Sequence, residues 1–158
     1  MRFEGTVEGV FIAPDASEPV VPVERVKAIP GRGLEGDRYF LQRGTYSSWP
    51  GNGREVTLIE AEAVELWGRE TGIVMEPELS RRNIVTRGVP LNHLVGREFV
   101  VGDTVLVGRR LCEPCGHLAS LSKRGVVKGL IHRAGLRADI VRGGSIAVGD
   151  AIRPAETP

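Results

Sequence analysis

Short apolar runs rich in β-branched residues alternate along the chain with turns rich in glycine and proline. Such runs between turn signals are typical of β-strands. Pro22 lacks a backbone donor, so the strand that contains it is expected at a sheet edge. The pattern predicts strands at residues 7–12, 20–29, 55–59, 84–86, 97–101, 104–107, 136–141 and 145–148.

One segment, residues 60–70, has the periodicity of a helix instead. Ala63, Val64 and Trp67 recur there at helical spacing. Its glutamates lie mainly in the first turns, where they suit the helix dipole, and Gly72 follows as a natural terminator. This stretch is the clearest predicted helix of the chain.

The remaining pattern determines the predicted fold class. Shorter helices are predicted at residues 118–122 and 126–132, and Val-Gly-Asp turns occur at 101–103 and 148–150. Strands and helices do not alternate regularly, which argues against a doubly wound sheet. The chain is therefore predicted to be mainly β, a barrel-like domain with a few short helices.

Length, composition and charge narrow the class of protein. The 158 residues suit a single domain, 1–158, and the 41% hydrophobic and 26% charged content is typical of a soluble globular protein. A net charge of +1 gives no overall positive field, so no nucleic-acid partner is expected. The chain shows no secretory pattern and no apolar run near the ~20 residues that span a bilayer, which predicts a cytoplasmic protein without membrane association.

Residues 31–36, Gly-Arg-Gly-Leu-Glu-Gly, match the spacing of a dinucleotide-binding loop. That loop should open a long helix, but several glycines and a proline follow closely, so a dinucleotide site is rejected. The segment 30–54 is expected to be a functional loop instead. Asp37 and Arg38 near its start are interpreted either as a surface ion pair of little energetic value or as ligand contacts.

A basic, polar cluster at residues 80–88 includes Arg81, Arg82 and Asn83 immediately before a short apolar strand. Arginine forms paired hydrogen bonds with phosphates and carboxylates. These side chains could therefore converge on an anion. The alternative is that they are the solvated end of a strand.

Both cysteines lie in one stretch, Cys112-Glu-Pro-Cys115, which His117 follows closely. In a reducing compartment this spacing favours metal binding or a reactive thiol over a structural disulfide. A zinc site would combine both cysteines with His117, His132 or His93. A thioredoxin-like redox pair would require a βαβ unit around the motif, which the flanking pattern does not predict.

A third interpretation requires only Cys115. This residue precedes a predicted helix, and a helix N-terminus and nearby arginines would favour its thiolate. A stable thiolate can bind a metal or carry sulfur. The remaining alternative is that Cys115 is simply a small buried hydrophobic residue.

Taken in order, several motifs resemble those of the MOSC domain, the C-terminal domain type of molybdenum-cofactor sulfurases. The resemblance covers roughly residues 21–153, and the ordered series is more specific than any single motif. It rests on residues 31–39 (GRGLEGDRY), 54–60 (REVTLIE), 82–88 (RNIVTRG), 101–103 (VGD), 114–115 (PC) and 143–150, where GG and VGD recur.

The resemblance implies a MOSC-type, PK-barrel-like β-barrel with a functional cysteine at Cys115, whereas Cys112 is not part of the family pattern. In members that hold molybdenum cofactor (molybdopterin), this cysteine is a thiolate ligand to molybdenum. The resemblance further implies cofactor-binding residues: Arg38, Arg82 and Asn83 would hold the pterin and its phosphate. Asp37 is expected to orient Arg38, and His117 to act beside the metal or as a proton donor.

Two hypotheses about function follow from the resemblance. In the first, the protein is a molybdenum-dependent oxidoreductase that reduces N-hydroxylated or N-oxygenated small molecules. The chain has no iron–sulfur or flavin signature, so a separate electron-donor protein is required. In the second, Cys115 carries sulfur as a persulfide without metal, and a cysteine desulfurase partner contains the pyridoxal phosphate.

A third hypothesis, from another class, is a non-catalytic zinc or ligand-binding module. It predicts that bound zinc depends equally on Cys112 and Cys115. We favour the first hypothesis, because the arginine and asparagine motifs have no obvious use in a bare persulfide carrier. The protein is thus expected to be an enzyme, with its substrate undetermined.

Overall fold

The computed structural model describes residues 1–15, 18–44, 51–72, 76, 80–112 and 133–156. Within these ranges it contains eleven strands, one α-helix, α1 (Ala61–Thr71), and a 3₁₀ turn at Leu91–Leu94. The strands are β1 (Gly5–Ile12), β2 (Val21–Val23), β3 (Arg25–Ile29), β4 (Gly33–Leu34), β5 (Val56–Glu60), β6 (Ile84–Arg87), β7 (Glu98–Val101), β8 (Thr104–Leu111), β9 (Leu136–Arg142), β10 (Gly144–Ala147) and β11 (Ala151–Pro154).

Seven of these strands form a closed barrel in the order β11-β7-β8-β9-β5-β6-β1, because β1 pairs back onto β11. Neighbouring strands are antiparallel except β5 and β6, which run parallel. A parallel pair requires a crossover connection, and α1 lies between these two strands in the chain. The predicted barrel-like, mainly β fold is confirmed.

The strand predicted at residues 20–29 is two strands in two sheets. β2 contains Pro22 and lies at the free end of the large sheet, beside β1, so the predicted edge position holds for this half. β3 lies between β10 and β4 in a second, three-stranded sheet. The edge prediction is wrong for β3, because a break at Glu24 lets the chain leave one sheet and enter the other.

The strand β11 was not predicted, although it closes the barrel. It is only four residues long and ends in a proline, so the sequence carries little strand signal. The two predicted Val-Gly-Asp turns are confirmed. Gly102 lies between β7 and β8 with a φ of 57°, and Gly149 lies between β10 and β11 with a φ of 92°.

The core has two parts, one inside the barrel and one between the barrel and α1. The strands beneath α1 therefore carry apolar residues on both faces. In β5, Leu58 points into the barrel while its neighbour Ile59 packs outside against Trp67 of α1. The helix ends as predicted, with Gly72 in the left-handed conformation.

No helix in the described ranges is long and apolar enough to cross a membrane. The helices predicted at 118–122 and 126–132 lie outside the described residues.

Gly135, just before β9, allows two backbones to approach closely. Its φ is 107°, and a Cβ built on it would lie 1.8 Å from the carbonyl oxygen of Leu58. We predict that Gly135→Ala lowers the free energy of unfolding by about 3 kcal/mol or more, because strain and a backbone collision combine. Gly72→Ala is the control, since φ is also positive there but its Cβ would meet no non-neighbouring atom of the described residues within 4 Å. Equal losses in urea denaturation of the two variants would contradict the prediction.

Candidate functional site

Three buried arginines, Arg38, Arg81 and Arg82, lie together where the chain enters β6. Each is only 7% exposed, although arginine is rarely buried without compensating partners. Arg38 Nη2 donates to the carbonyl oxygen of Arg81 at 3.4 Å, which joins the loop after β4 to the start of β6. We refer to these three residues as the arginine cluster.

Asp37 supplies a carboxylate to the arginine cluster. Its side chain is fully buried, and Oδ1 accepts hydrogen bonds from Arg38 Nη1 at 3.3 Å and from the backbone N–H of Ala13 at 3.0 Å. The interpretation of Asp37 and Arg38 as a surface ion pair is therefore wrong, since both side chains are buried. The carboxylate holds the Arg38 guanidinium and anchors the loop that follows β1.

Arg82 makes two hydrogen bonds to backbone carbonyls. Nε donates to Ala134 at 2.9 Å, and Nη2 donates to Cys112 at 3.3 Å. These acceptors lie on either side of residues 113–132, so one guanidinium contacts both ends of the cysteine-bearing segment. The solvated-strand-end interpretation of this region is also wrong, because Ser80, Arg81, Arg82 and Asn83 are all buried.

Arg81 belongs to the site although it was not among the predicted site residues. Its backbone has a φ of 61°, uncommon for a residue with a side chain, and its Nη1 donates to the carbonyl of Glu18 at 2.6 Å. Burial, followed by the nearby charge of Arg38, lowers the pKa of the Arg81 guanidinium. The adjacent Arg-Arg pair was a visible signal, but sequence alone could not show that both side chains are buried.

Asn83 directs its side chain to protein partners. Its Oδ1 accepts hydrogen bonds from the backbone N–H and the hydroxyl of Thr57, both at 3.1 Å, and Nδ2 donates to the carbonyl of Phe11 at 3.1 Å. These bonds connect β5, β6 and β1. The geometry gives Asn83 a structural task beside the arginine cluster, and its role in cofactor binding stays a prediction.

Cys115 and His117, the predicted metal ligand and its neighbour, lie outside the described residues, as does His132. Cys112 is described and its thiol is free and buried, with a backbone N–H that donates to the Gly135 carbonyl at 2.8 Å. Three residues of chain span at most about 11 Å, so covalent geometry keeps Cys115 within that distance of Cys112. Within the described ranges, no cluster of three histidine, cysteine, aspartate or glutamate side chains suits a metal ion.

Comparison with protein-family models identifies the family. The model of the MOSC domain matches residues 46–153. This chain belongs to the MOSC domain family. The match covers β5 to β11, which includes Arg81, Arg82 and both cysteines, and it confirms the resemblance of the sequence motifs. No curated protein matches the chain significantly.

Solved structures share the fold of this MOSC domain at low identity. The YuaD protein from Bacillus subtilis is 20% identical, with a TM-score of 0.78 and 99% of each chain covered. YiiM from Geobacillus stearothermophilus is 14% identical, with a TM-score of 0.70 over 96% of this chain and 75% of that one. YiiM from Escherichia coli is 16% identical, with a TM-score of 0.67 over 100% and 71%. These similarities establish the fold alone.

A carboxyl pair, Glu55 and Asp139, lies elsewhere in this MOSC domain. Glu55 Oε1 accepts from the backbone N–H groups of Gly31 at 2.9 Å and Ile140 at 3.3 Å. Asp139 accepts from the backbone N–H of Gly53 and from Arg109 Nε, each at 2.9 Å. Burial, then the charge of Asp139 and a hydrogen bond between the two side chains, raises the pKa of Glu55 to about 7.

We predict that Asn83→Ala lowers the free energy of unfolding by about 2–4 kcal/mol, because it leaves the buried N–H of Thr57 and the carbonyl of Phe11 without partners. Asn92→Ala, at an exposed position of the 3₁₀ turn, is the control and should lower it by less than half as much. Thermal and urea denaturation measure both. An Asn83→Ala protein as stable as the wild type would exclude the structural task.

The carboxyl pair predicts a specific pH dependence of stability. Because folding raises the pKa of Glu55 from 4.5 to about 7, its contribution is fully present below pH 4.5 and is lost as the pH rises through 7. Glu55→Gln imitates the protonated form, so it should abolish this loss. At pH 8 the free energy of unfolding of Glu55→Gln should exceed that of the wild type by on the order of 1 kcal/mol, a figure reduced for the solvent screening of a half-buried group. Urea titrations between pH 4 and 8 measure it, and the exposed Glu35→Gln should keep the wild-type profile.

Proposed function

We propose that this MOSC domain binds molybdenum cofactor, with the Cys115 thiolate as a ligand to molybdenum and the arginine cluster as the binding site for the cofactor's phosphate. The observation that supports the proposal is the burial of Arg38, Arg81 and Arg82 in one cluster, from which Arg82 donates to the backbone on both sides of residues 113–132. In this proposal a soft thiolate and a set of anion-binding guanidiniums act together on one ligand. These are the two donor types that a metal bound to a phosphorylated pterin requires.

The charges of the arginine cluster fit an anion. Among the described residues, the three guanidiniums carry three positive charges, and Asp37 supplies one negative charge in contact with Arg38. Backbone carbonyls of Glu18, Arg81, Cys112 and Ala134 accept hydrogen bonds from the guanidiniums but carry no net charge. The like charges therefore repel one another in a poorly solvated site, and a bound phosphate would relieve that repulsion.

In this proposal the cofactor supplies two-electron redox chemistry at its metal, for the reduction of N-hydroxylated or N-oxygenated small molecules. The residues of the chain bind and orient. Cys115 would hold the metal, the arginine cluster the phosphate, and Asp37 the guanidinium of Arg38. Electrons would come from a separate electron-donor protein. Sulfur transport on Cys115 is the alternative, but it gives the buried arginines no task.

The test uses protein produced in cells that make the cofactor. We predict that the wild type contains molybdenum by elemental analysis and a pterin by fluorescence, and that Cys115→Ser lowers the molybdenum content at least about tenfold. Cys112→Ser is the control and should retain the metal. Arg81→Met should retain about tenfold less pterin after gel filtration, because a charged contact to the phosphate is lost.

Three outcomes would overturn the proposal. Wild-type protein without molybdenum would reject cofactor binding. Cyanide-labile sulfur that disappears in Cys115→Ser, without any molybdenum, would favour the sulfur carrier. Stoichiometric zinc that is lost equally in Cys112→Ser and Cys115→Ser would favour the zinc module.

A further inference from the structure

The cysteine-bearing segment, residues 113–132, begins and ends at adjacent points on the barrel. Of its two stems, Cys112 directly follows β8 and Ala134 lies two residues before β9, and these strands pair with each other at Leu111 and Leu136. The backbone N–H of Cys112 also donates to the carbonyl of Gly135 at 2.8 Å. The antiparallel ladder therefore continues into the stems.

Arg82 adds a connection that the ladder does not supply. Its Nε contacts the carbonyl of Ala134 and its Nη2 the carbonyl of Cys112, at 2.9 and 3.3 Å. Both carbonyls accept from one planar guanidinium, whose donors have a fixed spacing. One side chain therefore adds to the ladder a second restraint on the relative position of the two stems.

The backbone around Arg82 is itself held in place. Its N–H donates to Ser80 Oγ at 3.3 Å, and the next residue, Asn83, donates its N–H to the Thr57 carbonyl at 3.0 Å. The guanidinium therefore connects the stems to the start of β6 and, through Asn83, to β5. Its side chain is buried, so water competes weakly for these bonds.

Arg38 differs from Arg82, although the exposure of the two residues is the same. Among the described residues, its hydrogen bonds go to Asp37 and to the carbonyl of Arg81, and neither is a stem. The arginine cluster therefore contains two kinds of residue. One contributes charge at the loop after β4, and the other joins the ends of the cysteine-bearing segment.

We propose that Arg82 is a positioning residue, whose guanidinium joins Cys112 to Ala134 and so fixes the two stems that flank residues 113–132. The inference rests on the proposed function only in taking Cys115 as the reactive thiol, because the two hydrogen bonds involve no cofactor. Lysine cannot replace Arg82 in this task. A single ammonium group lacks the planar fork that contacts two carbonyls at fixed spacing.

The experiment uses cofactor-free, full-length protein and four forms: wild type, Arg82→Met, Arg82→Lys and Arg38→Met. Hydrogen exchange at the Cys112 amide and the rate of alkylation of the buried Cys112 thiol are measured by mass spectrometry. We expect both rates to rise about tenfold or more in Arg82→Met and Arg82→Lys, because the stems separate more often. Arg38→Met should remain within about twofold of the wild type, since it leaves the stems intact.

The amide of Leu106 in β8 serves as an internal reference for global unfolding, since this residue pairs within the barrel ladder. Equal acceleration at Leu106 and Cys112 would show general destabilisation and would overturn the proposal. Equal effects of Arg38→Met and Arg82→Met would also overturn it, because they would indicate a charge effect. If Arg82→Met does not fold, Arg82→Lys decides alone, and wild-type protection of Cys112 in that variant rejects the inference.

The readouts separate this inference from the proposed function. Wild-type protein without molybdenum would reject cofactor binding and leave the stem measurements unaffected. Conversely, unchanged exchange at Cys112 in the Arg82 variants would reject the positioning task even if the wild type contained molybdenum.

Discussion

The hydrogen bonds between Asn83 and Thr57 determine where β6 begins, and the candidate site depends on that point. The N–H of Asn83 donates to the Thr57 carbonyl and hydroxyl, and its side-chain oxygen accepts from Thr57 in return. Because β5 and β6 are parallel, no tight hairpin sets their register. The hydrogen bonds between Asn83 and Thr57 therefore fix the register of the two strands, as a turn does in a hairpin. The two residues before Asn83 are consequently placed at a defined position on the barrel, and both are arginines.

Burial makes the arrangement costly without a ligand. Transfer of a guanidinium out of water is unfavourable unless hydrogen bonds and opposite charge compensate, and burial together with the charge of Arg38 lowers the pKa of Arg81. The left-handed backbone of Arg81 adds local strain of about 1–3 kcal/mol. The barrel can sustain these costs because its strands close on themselves around one buried apolar cluster. Ligand-binding sites typically combine a stable scaffold with locally unfavourable charge.

Local sequence signals predicted most of the strands, α1 and its terminator, because these depend on neighbouring residues. The strand β11 was missed because four residues ending in Pro154 acquire strand structure only through β1 and β7. Burial of Asp37 was equally unpredictable, since its partner Ala13 is 24 residues away in the chain. From sequence alone, basic residues near a strand end are expected to be solvated. Only the tertiary fold shows that Arg81 and Arg82 are buried. The family motifs identified two of the three arginines, and geometry was needed for the third.

Contact with the stems also explains why an arginine suits position 82 better than another basic residue. A phosphate requires positive charge, which lysine could provide, but two backbone carbonyls on different strands require two donors at fixed spacing. The same guanidinium can satisfy both needs, because its five N–H groups point in several directions within one plane. Arg82 would then couple the anion to the stems: a shift of the guanidinium toward a phosphate would alter its bonds to Cys112 and Ala134. Under the proposed function, occupancy of the arginine cluster would therefore affect the bonds that join Cys112 to Ala134.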